Sequence, residues 1–289
     1  MAFAISFQSK KPGESSEQYD GRMEFAKAIE RKIELGGGKV LSTGFDELFE
    51  VAPVKTAEMS SATSSPPDTE IKLALAARST GFAALIADGH SRKVKYMQAL
   101  ALGLPCIAPK WITTCLDKQE IIDWSPYLLC AGVSAFLGDA IRSRNLLPYD
   151  AKSAKLCEVV QERPRLLEGS RILLVMKKSE ENKKMAYIFL ARVLGASLSR
   201  VYTPEEARAK LKASEDLGRP FDWVYVDEKL DKAELFLPGP SVAESKKRKR
   251  ASSAAPTAPP SKRIRTLSDE LVIQSLILGR LIEEDEQDE

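Results

Sequence analysis

The sequence predicts an α/β protein built from two copies of a small four-stranded parallel sheet, each flanked by helices. Short apolar strands alternate with amphipathic helices, the order expected for parallel strands joined by helical crossovers. Residues 82–87 are almost entirely apolar, as expected for a strand covered on both faces. The same order of elements returns after residue 170, and 289 residues are enough for two domains of this size.

The first half of the first repeat starts with a predicted strand at residues 2–7. A helix is predicted over residues 18–35 because four apolar side chains recur there at helical spacing: Phe25, Ala26, Ile29 and Ile33. Three glycines end this helix before a second strand at residues 39–41. Residues 51–70 are rich in Ser, Pro, Ala and Thr and predict a surface loop, and residues 71–77 predict a short helical segment.

The second half of the first repeat contains the buried strand at residues 82–87 and a helix over residues 91–102. The predicted core face of this helix is formed by Val94, Met97, Ala101 and Leu102. A fourth short strand follows at residues 105–108, and residues 110–116 predict a last helix that carries Trp111.

The second repeat shows the same alternation. Its predicted strands are residues 171–176, 197–202, 221–226 and 264–267. Its predicted helices are residues 185–194, 204–211, a short stretch near 227–236, and 269–281. Ser268 is the predicted N-cap of the last helix, and Gly279 loosens its end. The apolar face of that helix is Val272, Ile273, Leu276 and Ile277.

The domain organisation that follows is a first repeat at residues 1–130 and a second repeat at residues 170–282. A linker at residues 131–169 joins them and contains a predicted helix at residues 151–161, which ends before Pro164. The remaining segments are a basic insertion at residues 238–262 and an acidic tail at residues 283–289.

The net charge of +2 conceals two charged blocks of opposite sign. Residues 241–265 hold eight basic side chains and one acidic side chain, whereas residues 283–289 hold six acidic and none basic. The rest of the chain carries 35 basic and 34 acidic residues, so the folded part has no global bias toward nucleic acid.

The composition argues against most enzyme and metal-binding classes. His90 is the only histidine, which removes constellations that need paired imidazoles. The four cysteines form no CxxC pair, so we predict that the chain has no structural zinc site. We expect them to behave as small apolar residues in a reducing compartment: Cys106, Cys115, Cys130 and Cys157. The three glycines before Lys39 lack the rest of a phosphate-loop motif, so no cofactor is predicted. No apolar run approaches the roughly 20 residues that cross a bilayer, so no membrane partner is predicted.

Three stretches of the sequence resemble a known family, the tandem BRCT module. These are FAALIADGHSRKVKYMQALALGLPCIAPKWITTCL, YLLCAGVSAFLGDAIRSRN and VIQSLILGRLI. The second and third stretches resemble one branch, the DNA-damage checkpoint mediators, which comprises the animal tumour-suppressor-binding mediator and its yeast counterparts. The sequence departs from the pattern where Leu271 takes the place that Trp111 has in the first repeat, and where the second helix of the second repeat is shortened.

The resemblance implies that the module binds a phosphorylated peptide, which needs hydroxyl, backbone N–H and ammonium donors for the phosphate. The matching positions place the phosphate at Ser6, Phe7 and Lys95, and the peptide main chain or terminal carboxylate at Arg92, with Lys93 adding positive charge. Many relatives have Gly where this sequence has Phe7. In a parallel sheet these positions lie at the carboxyl ends of neighbouring strands, where ligands bind in open α/β sheets.

The second repeat is predicted to lack a phosphate site of its own. Lys177 and Lys178 follow its first strand, but Asp227 and Glu228 follow its third strand and are a poor environment for a phosphate. We therefore expect one phosphate site, in the first repeat, and a groove between the repeats for the residues after the phosphoserine.

The basic insertion resembles a bipartite nuclear localisation signal, formed by Lys246, Lys247, Arg248, Lys249, Arg250, Lys262 and Arg263. A solvated, disordered loop and salt-dependent contact with DNA phosphates are the alternatives. We rank nuclear import first and predict no sequence-specific nucleic-acid partner.

We interpret the chain as a nuclear, non-enzymatic adaptor in the DNA damage response. The resemblance implies a phosphorylated protein tail as partner, and the C-terminal tail of histone H2A in particular. Two alternatives stay open. One is a phosphate-independent scaffold or homodimerisation module, and the other is an α/β enzyme that uses the strand-end site for nucleotide chemistry.

Overall fold

Four short parallel strands form the sheet of the first repeat in the computed structural model, which describes residues 1–50, 54, 71–226 and 265–282. The strands are β1 (Ala2–Ile5), β2 (Lys39–Leu41), β3 (Ala83–Ile86) and β4 (Cys106–Ile107), in the order β2-β1-β3-β4. All three pairings are parallel, as the alternation of strands and helices predicts. The central strands β1 and β3 are buried along their whole length.

Helices cover both faces of this sheet: α1 (Ser16–Leu35), α2 (Val94–Ala101) and α3 (Lys110–Lys118). The first of them starts with a capping box, because the Ser15 hydroxyl accepts from Gln18 N at 3.1 Å while Gln18 Oε1 accepts from Ser15 N. Two separate apolar clusters result, since alternate residues of β1 point to opposite faces: Ala4 belongs to one cluster and Phe3 to the other.

Trp111 is the centre of the aromatic cluster on the second face. Its ring lies 6.2 Å from that of Phe3 and 5.6 Å from that of Phe82, and its Nε1 donates to Ile122 O at 3.0 Å. The side chain is only 2% exposed, so the indole is both buried and hydrogen-bonded.

The second repeat has the same topology in its own four-stranded parallel sheet. In the numbering used below, the linker between the repeats contributes β5 (Gly132–Ser134), β6 (Ala140–Arg142) and α4 (Leu156–Gln161). The strands of the second sheet are β7 (Arg171–Val175), β8 (Ser197–Val201), β9 (Trp223–Val226) and β10 (Arg265–Leu267), in the order β10-β9-β7-β8. Its described helices are α5 (Glu181–Val193), α6 (Pro204–Asp216) and α7 (Asp269–Leu278). The predicted fold class is therefore confirmed.

The last helix of the second repeat begins at the predicted residue but ends three residues earlier than predicted, at Leu278 rather than at residue 281. The Ser268 hydroxyl accepts from Leu271 N at 3.2 Å, and Gly279 ends the helix in the left-handed conformation at φ 71°. Leu271, which the sequence comparison sets against Trp111, is 3% exposed and therefore part of the core.

Several predicted helix bounds were wrong. The helix predicted from residue 91 begins at Val94, because Lys93 has extended backbone and is its N-cap, and Val94 itself is 40% exposed rather than in the core. The segment at residues 71–77 is mostly not helical, since Leu73 forms a β-bridge with Phe49 and only Leu75–Ala77 forms a 3₁₀ turn. Helices α5 and α6 are both longer than predicted.

The linker also differs from its prediction. Its helix α4 covers only the second half of the predicted residues 151–161. Strands β5 and β6 form an antiparallel hairpin that the sequence analysis did not predict. The hairpin packs on α7, where a Cβ on Gly132 would lie 3.0 Å from Ile277 Cδ1, so only glycine fits at this close approach.

The two repeats share one hydrophobic cluster. Helix α2 of the first repeat packs against α5 and α7 of the second, and the cluster contains buried residues from the helices of both repeats, among them Met97, Leu100, Ile188 and Leu276. Four segments lie outside the described residues: 51–53, 55–70, 227–264 and the acidic tail. The predicted surface loop, the predicted short helix near residues 227–236 and the basic insertion therefore stay predictions.

Candidate functional site

The carboxyl ends of β1 and β3 meet at one edge of the first sheet. Ser6 N donates to Ile86 O at 3.0 Å, which fixes the two strand ends side by side. Ser6 and Phe7 are 6% and 5% exposed. Within the part of the chain that the structure describes, the Ser6 hydroxyl and the Phe7 N–H have no hydrogen-bond partner. Two donors are thus available at the predicted phosphate position.

Two ammonium groups from the start of α2 reach this edge of the sheet. Lys93 Nζ donates to Phe7 O at 2.7 Å, just after β1. Lys95 Nζ donates to Leu41 O at 3.3 Å, at the end of the neighbouring strand β2. The start of α2 also presents unpaired backbone N–H groups and the positive end of the helix dipole, which favour an anion.

Lys95 is a partly buried cation with three carboxylates in its surroundings. Burial lowers the pKa of its ammonium, and the carboxylates of Glu30, Glu47 and Asp46 oppose this effect only in part. A bound phosphate would compensate the burial by placing opposite charge beside the ammonium.

Arg92 lies at the boundary between the repeats. Its guanidinium forms an ion pair with Glu270 in the first turn of α7, and both side chains are about half exposed. Arg92 therefore stands on the second-repeat side of the predicted phosphate position, with its guanidinium open to solvent. The structure brings Lys93 into contact with Phe7 at the strand edge, whereas Lys95 contacts Leu41 at the end of β2 and Arg92 pairs with Glu270 of the second repeat.

A cavity of about 220 Å³ lies between the repeats on the α2 side. Its walls come from both repeats and include Phe49, Val94, Met185, Phe189 and Arg192. The rings of Phe49 and Phe189 face each other across the boundary at 5.6 Å. A cavity of this volume is large enough for one side chain of a bound peptide.

The corresponding edge of the second repeat has a different environment. Lys178 lies in a 3₁₀ turn after β7, and Lys184 pairs with Asp269 at 2.9 Å. The Tyr225 hydroxyl donates to the same Asp269 carboxylate. Asp227 and Glu228 lie outside the described residues. The prediction of a single phosphate site therefore stays a prediction.

Three side chains that hold the strand-end loops in place were not predicted from the sequence. Arg22, Gln8 and Asp88 form hydrogen bonds between α1 and the segments that follow β1 and β3. No local pattern marks them, because Asp88 and Arg22 are 66 residues apart in the chain. Only an acidic residue directly after the buried strand β3 hinted at a polar contact there.

Other site predictions have the following positions. The seven residues of the predicted localisation signal lie outside the described residues. All four cysteines are free, and Cys106 is fully buried, where burial raises the pKa of its thiol. Over the described ranges, no three or more His, Cys, Asp and Glu side chains are grouped as metal ligands would be, and no helix is long and apolar enough to cross a membrane.

Comparison with known proteins finds similarity to two DNA repair proteins. No family model matches the chain. The chain is 32% identical over 182 residues to the DNA repair protein crb2 of Schizosaccharomyces pombe, which is 59% of this chain and 22% of that protein. It is 30% identical over 136 residues to the DNA repair protein RAD9 of Saccharomyces cerevisiae, which is 42% of this chain and 10% of that protein. The chain thus spans less than a quarter of either relative.

Among solved structures, the chain is similar to the BRCT5-BRCT6 domains of S. pombe Brc1. The alignment covers 72% of this chain and 70% of that chain at 20% sequence identity. The TM-score is 0.34, too low for a comparison of individual positions.

Proposed function

We propose that the chain is a tandem BRCT module of the kind found in DNA-damage checkpoint mediators, and that it acts as a phosphopeptide-binding adaptor. Its task is to locate a signalling protein by binding a phosphorylated partner, and it performs no chemistry. The site residues are those predicted from the sequence: Ser6, Phe7 and Lys95 for the phosphate, and Arg92 and Lys93 for the peptide.

The observation that carries this proposal is the pair of available donors at the end of β1. The Ser6 hydroxyl and the Phe7 N–H are both without a partner in the described chain, and the Lys93 ammonium lies 2.7 Å from the carbonyl of the same Phe7. A phosphoserine supplies three acceptor oxygens and nearly two negative charges, which match a hydroxyl, an amide and two lysines. Phe7 in place of Gly restricts the backbone but keeps the N–H donor.

The ligand we propose is the phosphorylated C-terminal tail of histone H2A at damaged chromatin. Such a tail ends in a carboxylate a few residues after the phosphoserine. Arg92 lies between the phosphate position and the second repeat, and its planar guanidinium suits bidentate binding of a carboxylate. The cavity between the repeats would then accept a side chain of the same peptide.

The proposal includes a nuclear location, with the basic insertion acting as a localisation signal. Support comes from the similarity to two DNA repair proteins and from the two basic clusters of the insertion.

The proposal is tested by titrating a phosphoserine H2A tail peptide and its unphosphorylated form against wild type, Lys95→Met and Lys27→Met by calorimetry. Lys27 is an exposed lysine on α1 and serves as the matched control. Loss of a charged hydrogen bond predicts binding weaker by about 10- to 100-fold in Lys95→Met and unchanged binding in Lys27→Met. Equal binding of the two peptides by wild type would refute the proposal.

A second candidate function is self-association, favoured by the hairpin between the repeats. Leu137 and Ile141 of this hairpin are 44% and 66% exposed. Exposed apolar side chains on one element are typical of an interaction surface. Sedimentation with and without the phosphopeptide separates the two functions, because a phosphate-independent dimer would sediment identically in both conditions.

A further inference from the structure

We propose that Arg22, which lies outside the predicted phosphate site, positions the two loops that form it. These are the β1 loop, residues 6–9, and the β3 loop, residues 87–93. The inference rests on the proposed function, since the loops carry Ser6, Phe7, Arg92 and Lys93. Arg22 is a positioning residue in this proposal and does not touch the phosphate.

The Arg22 guanidinium uses all five of its N–H donors. Two bonds hold Glu14, with Nε to Oε1 at 3.0 Å and Nη2 to Oε2 at 2.8 Å. Two bonds hold the β1 loop, to Gln8 O at 2.8 Å and Ser9 O at 3.3 Å. The fifth holds the β3 loop, from Nη1 to Asp88 Oδ2 at 2.7 Å. One side chain on α1 therefore joins both site loops.

The two loops are also bonded directly to each other around this contact. The other carboxylate oxygen of Asp88 accepts from Gln8 N at 2.8 Å, and Gln8 Nε2 donates to His90 O at 2.7 Å. A third bond between the two loops runs from Lys93 Nζ to Phe7 O at 2.7 Å. Asp88 thus needs a partner for its second oxygen, and Arg22 supplies it.

Burial indicates that this network is more than a solvated surface pair. The Arg22, Asp88 and Glu14 side chains are 16%, 13% and 12% exposed. The guanidinium hydrogen bonds hold the pKa of the Glu14 carboxyl at about 2, and the carboxylates raise the pKa of Arg22 above its ordinary value. Arg22 and Glu14 therefore both carry their charges throughout the physiological pH range.

A fixed loop matters most at Phe7. The N–H of Phe7 must point at the phosphate without the conformational freedom that glycine gives. If the β1 loop sampled several conformations, only the molecules whose Phe7 N–H points at the phosphate would bind. The apparent dissociation constant would then rise as the fraction of such molecules falls. Arg22 and Asp88 hold the residues that flank Phe7 on its carboxyl side and so raise that fraction.

The test compares Arg22→Gln with Arg31→Gln, an exposed arginine on the same helix, in the full chain. The first readout is hydrogen exchange at the Gln8 amide without ligand. We expect exchange at least about tenfold faster in Arg22→Gln and unchanged exchange in Arg31→Gln. Equal exchange in both variants would overturn the inference. Because this readout needs no ligand, it stays decisive even if wild type binds no phosphopeptide and the proposed function fails.

The second readout is the affinity for the phosphoserine H2A tail peptide, measured well below the melting temperature. We expect binding about tenfold weaker in Arg22→Gln, with the same dependence on salt concentration as wild type, because the number of charges that contact the phosphate is unchanged. Lys95→Met, in contrast, should reduce the salt dependence. Wild-type affinity in Arg22→Gln would overturn the inference.

Asp88→Asn provides the second variant if Arg22→Gln does not fold. It keeps the shape of the side chain and removes its charge. In Asp88→Asn alone, exchange at the Gln8 amide should also be faster than in wild type. Where Arg22→Gln does fold, the double variant should bind no more weakly than the weaker single variant. Full additivity of the two losses would contradict the proposed connection.

Discussion

Arg92 of the first repeat and Glu270 of the second form an ion pair that joins the loop before α2 to the first turn of α7. Glu270 also accepts from Gln274 Nε2 at 2.9 Å, so the carboxylate is fixed on its own helix. The pair is a direct polar contact between the repeats at the position where a bound peptide would pass from one to the other.

Glu270→Gln should cost little stability. The Arg92 and Glu270 side chains are 53% and 48% exposed, and exposed ion pairs contribute about 0–1 kcal/mol. We expect the free energy of unfolding in urea to fall by less than about 1 kcal/mol. Lys152→Met, which breaks the comparably exposed pair with Glu120, is the control. A loss of several kcal/mol in Glu270→Gln alone would show that the pair holds the repeats together.

Arg92→Ala should abolish discrimination between a peptide that ends in a carboxylate and the same peptide ending in an amide. A charged hydrogen bond is worth about 1.5–3 kcal/mol, so wild type should prefer the carboxylate by about 10- to 100-fold. The variant should bind both peptides like wild type binds the amide. Retention of the preference in Arg92→Ala, measured by fluorescence anisotropy, would assign carboxylate binding to another residue.

Glu14→Gln should destabilise the protein in a pH-dependent way. The pKa of Glu14 is lowered from 4.5 to about 2 in the folded chain, so its ionised form is stabilised by folding. This contribution is complete above the unfolded pKa and is lost as the pH falls toward 2. The difference in melting temperature between wild type and Glu14→Gln should be constant above pH 5, shrink below pH 4.5 and vanish near pH 2.

Glu24→Gln, an exposed carboxylate on α1, is the control for this series. Its effect should stay within about 0.5 kcal/mol at every pH. A Glu14→Gln difference that does not change with pH would mean that packing, and not the charge, stabilises this contact.

Trp111→Ala and Leu271→Ala should both destabilise their repeats, because both side chains are buried in the core. Both are at most 3% exposed. Typical costs are about 3–5 kcal/mol for the tryptophan and about 2–5 kcal/mol for the leucine. Leu271→Met, which conserves volume, should cost less than about 1.5 kcal/mol in urea denaturation. If Leu271→Ala costs under 1 kcal/mol, the second repeat does not depend on this core position.

The central strands of the sheets were predictable because each is a short apolar run followed by a turn, and burial on both faces leaves little choice of structure. β3 and β7 show this most clearly. The hairpin of β5 and β6 was missed because its strands have three residues each and β6 is exposed, so they carry no strong apolar pattern. The start of α2 was misplaced because Ser91, Arg92 and Lys93 are all compatible with a helix. The extended backbone of Lys93 goes with a bond from its Nζ to Phe7 O, and these two residues are 86 positions apart in the chain.

The candidate site was predictable to a similar extent. Ser6 and Lys95 followed from the family resemblance, because both occupy recognisable positions at a strand end and a helix start. Arg22 and Gln8 could not be found in this way. Their role depends on tertiary contacts with Asp88, and a polar residue in a loop or on a helix surface has no sequence pattern that distinguishes it from a solvated one.

Helix α7 has a consequence for how mutations in the gene would act. It packs on the linker hairpin and on α2, the helix that carries Lys95, so residues of the second repeat support the first repeat as well. A stop codon just before residue 269 would leave every proposed ligand contact encoded. The shortened product would nevertheless expose the apolar side of α2 and become a substrate for cellular quality control.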